Sequence, residues 1–194
     1  MTTRDSAWAA ADGGLVVERM TAEEATAWAG ERLPDVSKSE VYALVDAVEG
    51  IPLGIAQATG YIAATQCPVG VYLTELADCR SRLLDDPGFV PLDYREGATL
   101  TATVTLSVGR VLDQALHSPE TSGRHLAVGV LARCALLAPD FIPLHLATLD
   151  LPPGSSVYGA VAELRRFSLV DPRNGMLAIH RIVQEVIRAM MTED

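Results

Sequence analysis

Apolar and polar positions in this chain recur mostly with the period of a helix. Thr21-Ala22-Glu23-Glu24 is a capping box, in which the threonine hydroxyl takes one unpaired N–H and Glu24 reaches back to another. The pattern behind it predicts a helix to about Leu33, ended by Pro34. Ser37-Lys38-Ser39-Glu40 repeats the device, and Val41, Leu44, Val45 and Val48 then fall at i, i+3, i+4 and i+7, one apolar face. Gly50 stops this second helix. Pro52 opens a third, where its missing N–H costs nothing, and Leu53, Ile55, Ala56, Ile62 and Ala63 carry it to about Thr65. Pro68 resets the chain before a fourth helix over 69–84, with Val71, Leu73, Leu76 and Leu83 among its apolar positions. Four helices joined by short loops predict a bundle.

Asp85-Asp86-Pro87-Gly88 through Glu96-Gly97 reads as a domain linker, rich in proline, glycine and acids. Helical pattern resumes over about 100–116, although Thr101, Thr103 and Thr105 weaken the local propensity, and again over about 124–137. A short segment at 143–149 and a helix from Ser155 or Ser156 to about Phe167 follow. Leu169-Val170 and Met176-Leu177-Ala178-Ile179 flank Asp171-Pro172-Arg173-Asn174-Gly175, which reads as a hairpin turn. A last helix carries Ile182, Val183, Val186, Ile187 and Met190 on one face. The expected fold is therefore mainly α: a four-helix bundle over 21–95, then a winged-helix domain over 96–194 with a small β-hairpin wing. Upstream, Leu15 to Met20 reads as a lone strand after Gly13-Gly14, and a lone strand wants a sheet the chain does not obviously supply.

Composition sharpens this picture. Of 194 residues 49% are apolar but only 5% aromatic, so the core is built from Ala, Leu, Val and Ile, a mixture that favours helices. No apolar run approaches the roughly 18–20 residues needed to span a bilayer, and no signal-peptide pattern opens the chain, so the expected setting is the cytoplasm, with no membrane partner. Cys67, Cys79 and Cys134 are odd in number, widely spaced and form no CxxC pair. Reduced, buried thiols are expected, with no metal site. The net charge of −10 opposes the phosphate neutralisation on which nucleic-acid affinity rests.

Three short motifs, in order, resemble those of the NB-ARC and wider STAND regulatory ATPases. Thr2-Thr3-Arg4-Asp5 resembles the TTR motif, followed by a strand and a helix opening with Glu23-Glu24-Ala25. Gly50-Ile51-Pro52-Leu53-Gly54-Ile55-Ala56 resembles GLPLAL, with Ile and Gly replacing Leu and Ala. Ala178-Ile179-His180-Arg181-Ile182-Val183-Gln184 resembles the bacterial hHRLVQ version of the MHD motif. The resemblance implies a remnant of the nucleotide-binding α/β domain over 1–20, the helical subdomain over 21–95 and the winged-helix subdomain over 96–194. No G-x-x-x-x-G-K-[ST] occurs in the 194 residues, nor an apolar run ending in paired aspartates, so the expectation is a regulatory module and not an enzyme. ADP or ATP is expected to bind only together with a separate P-loop domain. That domain, of the same or a parent protein, is the expected partner, together with protein partners or self-association, and DNA is not expected.

By this resemblance Arg4 reads the terminal phosphate, Pro52 and the adjoining Leu53 contact adenine, and His180 contacts the β-phosphate of ADP. Each has a plainer reading: Arg4 in a frayed terminus, Pro52 as an ordinary first-turn proline, His180 as a cap between wing and last helix. Arg165 and Arg166 end the helix that a DNA-reading winged helix would insert in the major groove, so the alternative function is a free-standing transcription regulator. Their plainer role is to complement the negative end of that helix's dipole. His117, His125 and His145 share no ligand spacing.

Overall fold

Both capping boxes form. Helix α1 (Ala22–Arg32) starts where Thr21 Oγ1 accepts the Glu24 N–H at 3.2 Å and Glu24 Oε2 takes the Thr21 N–H at 2.8 Å. These bonds from the Thr21 backbone and hydroxyl hold the Glu24 carboxyl below its ordinary range. Ser37 and Glu40 do the same for α2 (Lys38–Ala47). Two left-handed residues, Glu49 at φ 58° and Gly50 at φ 63°, end it and turn the chain into α3 (Pro52–Thr65), with Pro52 at its first position. The computed structural model describes residues 20–85, 98–120, 122–149, 151–152 and 155–191, with the side chains of 84 and 85 excepted. Arg4, the expected strand before Met20 and most of the expected linker lie outside these residues.

The remaining helices are α4 (Val69–Asp85), α5 (Ala98–Leu116), α6 (Gly123–Leu136), α7 (Leu144–Ala147), α8 (Val157–Arg166) and α9 (Arg181–Met191). Three short strands, β1 (Ile142–Pro143), β2 (Asp171–Arg173) and β3 (Met176–Ala178), form an antiparallel sheet in the order β1-β3-β2. The described structure is thus mainly helical with one small sheet, and among its helices none is long and apolar enough to cross a membrane.

The hairpin differs from its sequence reading. Asp171-Pro172-Arg173 is not the turn but the edge strand, and the turn is Asn174-Gly175 alone, at φ 50° and 75°. Two consecutive left-handed residues make the tight turn whose twist matches a hairpin, and an edge strand tolerates Pro172 because its outer N–H positions need no partner. The third strand, β1, was not foreseen. It is two residues long, too short for any alternation to show, and exists only through pairing of Ile142 with Leu177 and Pro143 with Met176.

Helix α1 packs on α2 and α3, α2 on α4, and α4 along α5. Helix α5 also touches α3, α6 and α9, while α6 lies against both α8 and α9. One hydrophobic cluster runs from Ala25 to Ile187 through these contacts. Of the threonines that weaken α5 locally, Thr103 donates through Oγ1 to the Thr99 carbonyl at 2.7 Å, and Thr99 Oγ1 in turn donates to Glu49 Oε1 at 2.6 Å, while the buried Thr101 and Thr105 hydroxyls have no hydrogen-bond partner among the described residues. At the other end, buried Gln184 donates through Nε2 to the carbonyls of Cys134 and Leu137, both at 2.8 Å, and Arg188 Nη1 donates to the Ala135 carbonyl at 2.7 Å, so α9 satisfies the last carbonyls of α6.

The three thiols are free, Cys79 and Cys134 buried and Cys67 partly so. Burial pushes the Cys134 thiol up to about 11. Its folded-state value lies above the unfolded one, so its contribution to stability is complete below the unfolded value and is lost as pH rises toward 11. Titration of the native protein with a disulfide reagent near pH 8 is expected to modify Cys67 alone, and all three thiols once denaturant is added. Rapid native modification of Cys134 would contradict its packing.

Candidate functional site

A cleft of about 640 Å³ opens between the first and last thirds of the chain. Trp28 and Arg32 of α1 form one wall with Leu53 and Ala56 from the first turns of α3. The opposite wall comes from Arg165, the turn 168–170, Asp171 and Arg173 of β2, and Ala178 to His180 leading into α9. Its volume is within the range of small-molecule sites.

Ser168 is the joint between the two walls. It sits at φ 54°, and its N–H is held by the Arg165 carbonyl at 2.9 Å. Its hydroxyl donates to the Ala56 carbonyl at 3.1 Å, and its own carbonyl accepts from buried Gln57 Nε2 at 2.6 Å. Arg32 lies 5.4 Å over the Trp28 ring, donates through Nε to Thr59 Oγ1 at 2.8 Å and reaches Ser168 Oγ at 3.4 Å. Three of these bonds link α1 or α3 to Ser168, so the spacing of the walls is set by the protein itself.

Three arginines, Arg32, Arg165 and Arg173, face two aspartates, Asp140 and Asp171, in this lining, against a chain charge of −10. Arg173 pairs with Asp171 at 2.6 Å, both largely exposed, a geometry of small energetic worth. Arg32 and Arg165 form no ion pair among the described residues. His180 is exposed, and its neighbour Ile179 is buried and donates its N–H to the Pro139 carbonyl at 2.8 Å. The His180 carbonyl takes the first free N–H groups of α9, from Val183 at 2.9 Å and Gln184 at 3.2 Å. Its Nδ1 accepts the Ile182 N–H at 3.4 Å, a contact that agrees with the plainer reading of His180 as a cap between β3 and α9.

Of the residues singled out from sequence, Leu53 and His180 line this one cleft. Pro52 is exposed at the first turn of α3 beside it and is not part of the lining. Arg4 lies outside the described residues. Arg165 belongs to the cleft, whereas Arg166 is engaged by Glu163 at 3.0 Å and by the Ala64 carbonyl at 2.9 Å. Trp28, Arg32, Ser168 and Arg173 were missed, because nothing in their sequence neighbourhoods marks them. Among the described residues no cluster of His, Cys, Asp or Glu is placed to hold a metal ion. Neither a protein-family model nor a curated protein sequence matches the chain.

Proposed function

We propose that this chain is the regulatory part of an NB-ARC/STAND-type nucleotide switch, working without a phosphate-cradling loop or hydrolysis of its own. The observation that carries this reading is the meeting of Leu53 and His180, from two separate motif-like segments, in one arginine-bearing cleft. Residues 21–95 are then the helical subdomain and 96–194 the winged-helix subdomain, with β2–β3 as the wing and α8 in the recognition-helix position. Its partner is a P-loop nucleotide-binding domain, and its setting the cytoplasm.

The side chains suit an adenine nucleotide, which supplies a flat apolar base and a negative tail. Leu53, Ala56 and Trp28 offer the apolar wall, Pro52 a rigid surface at its edge, and Arg165 and Arg173 the donors for phosphate oxygens, with the His180 ring beside them. Because these groups sit on opposite walls, a ligand touching both favours the closed arrangement over an open one by its difference in affinity. A winged-helix regulator reading DNA is less well supported: α8 packs against α6 and α3, and Arg166 is already bound to Glu163 and Ala64.

The test uses the Trp8→Phe variant, which leaves Trp28 as the sole tryptophan, with fluorescence and backbone NMR during an ADP titration. With so few donors and no P-loop, the chain alone is expected to show no saturable shift at about 1 mM ADP. With a P-loop nucleotide-binding domain added, shifts should appear at the cleft residues Trp28, Leu53, Arg165, Arg173 and 178–180, and His180→Asp should weaken them. Saturable binding by the chain alone, shifts away from the cleft, or none with that domain present would sink the reading.

A further inference from the structure

We propose that a second groove, on the far side of Arg32 and Arg165 from the cleft, binds an acidic peptide segment. It has a volume of about 650 Å³ and runs between α3 and α8. It is lined by the buried Gly60 of α3 and Val161 of α8, by the less buried Ala63, Ala64 and Ala162, and by Arg32, Arg165 and Arg166. This inference does not depend on the nucleotide reading.

Charge is the first argument. In a chain with 25 acidic and 15 basic residues, three arginines gather at one groove, and Arg32 and Arg165 lack ion-pair partners among the described residues. A planar guanidinium matches a carboxylate with two parallel bonds, which a lysine cannot do. Arg166 already displays the chemistry: Nη1 binds the Glu163 carboxylate and Nη2 binds the Ala64 main-chain carbonyl at 2.9 Å. Those are the two acceptors a peptide with acidic side chains presents.

Shape is the second. Ala63 and Ala162, both exposed, and the half-buried Ala64 carry nothing larger than a methyl group, which lets an extended main chain approach along them, and Tyr158, 80% exposed, stands beside them as an aromatic flank. Thr59 is the other hydroxyl in the lining, and it is spent, donating to the Ile55 carbonyl at 2.7 Å and accepting from Arg32. The groove has charge and apolar surface but no free set of acceptors and donors with which to read a base edge. It is therefore suited to carboxylates on a peptide rather than to a nucleotide.

The experiment is fluorescence anisotropy of a labelled decapeptide of alternating Glu and Gly, with a Gln–Gly peptide as control and tripolyphosphate as competitor. At low salt the acidic peptide is expected to bind with a dissociation constant on the order of 100 µM, weakening as salt is raised. Arg165→Glu should weaken it about tenfold and Tyr158→Ala about threefold, with the helical circular-dichroism signal unchanged. Arg80→Glu, exposed on α4 and in the lining of neither the groove nor the cleft, should leave binding nearly as it was. Equal binding of the Gln–Gly peptide, indifference to Arg165→Glu, or an equal loss in Arg80→Glu would overturn the proposal. So would displacement by tripolyphosphate at far lower concentration than by unlabelled peptide, because the site would then read phosphate.

Discussion

Phe167→Ala is expected to lower the unfolding free energy by about 3–5 kcal/mol, the range for removing a fully buried phenylalanine ring. Phe167 is 0% exposed at the end of α8, and its ring meets Tyr61 of α3 edge-on at 6.3 Å. Tyr61 in turn packs on Tyr72 of α4, with centroids 5.2 Å apart. The three rings join α8, α3 and α4, so their loss removes both apolar transfer energy and contacts that little else can replace. Tyr61 is held from its other end by a 2.9 Å bond from its hydroxyl to Glu75, which restricts how far it can move into the vacated space. A domain of ordinary stability has about 5–15 kcal/mol in all, so the variant should sit near the edge of folding. Urea unfolding should show a lower midpoint at unchanged slope, and Phe167→Leu, which keeps most of the volume, should cost less than about 1.5 kcal/mol. A loss below about 1 kcal/mol in the alanine variant would mean that the aromatic bridge is not part of the stable core.

The second large effect is at Gly60. A Cβ there would lie 2.8 Å from the Arg166 carbonyl oxygen and 3.2 Å from Ser168 Oγ. Replacing a mid-helix glycine normally gains helix propensity, up to about 1 kcal/mol for alanine. Here the obstruction is main chain rather than a flexible tip, so overpacking wins, and Gly60→Val should cost about 2–3 kcal/mol net. Gly109 in α5 is the control: a Cβ there meets nothing within 4 Å, so Gly109→Ala should stabilise by up to about 1 kcal/mol. The two substitutions are thus expected to shift the thermal midpoint in opposite directions. Moving Arg166 also moves Arg165 and Ser168, so in Gly60→Val the ADP-dependent shifts at Trp28 and His180 should weaken as well. Equal shifts for the two glycine variants would show that α3 and α8 are not in close contact in solution.

Part of the candidate site was legible in the sequence. Leu53 and His180 were marked by short motifs, and both sit where local chemistry puts them: Leu53 just behind a proline-started helix, His180 at the cap of α9. Arg165 was noticed for its helix-end position, but its direction was not readable, since the turn at Phe167 and Ser168 decides which way α8 presents it. Arg32 looked like a routine cation at a helix end. Its role comes from Trp28, Thr59 and Ser168, and the last two belong to other segments.

The sequence by itself determined the helices: their starts at Thr21 and Ser37, the proline opening of α3 and the apolar face of α9. Caps, breakers and 3.6-residue periodicity act over a few neighbours and are written in those neighbours. It also determined that the core would be aliphatic and the chain acidic. Only the tertiary structure decided the strand at Ile142–Pro143 and the gathering of arginines between α1, α3 and α8. Those features arise from pairings between segments far apart in the chain, where the packing partner sets conformation and the local pattern carries no trace of it.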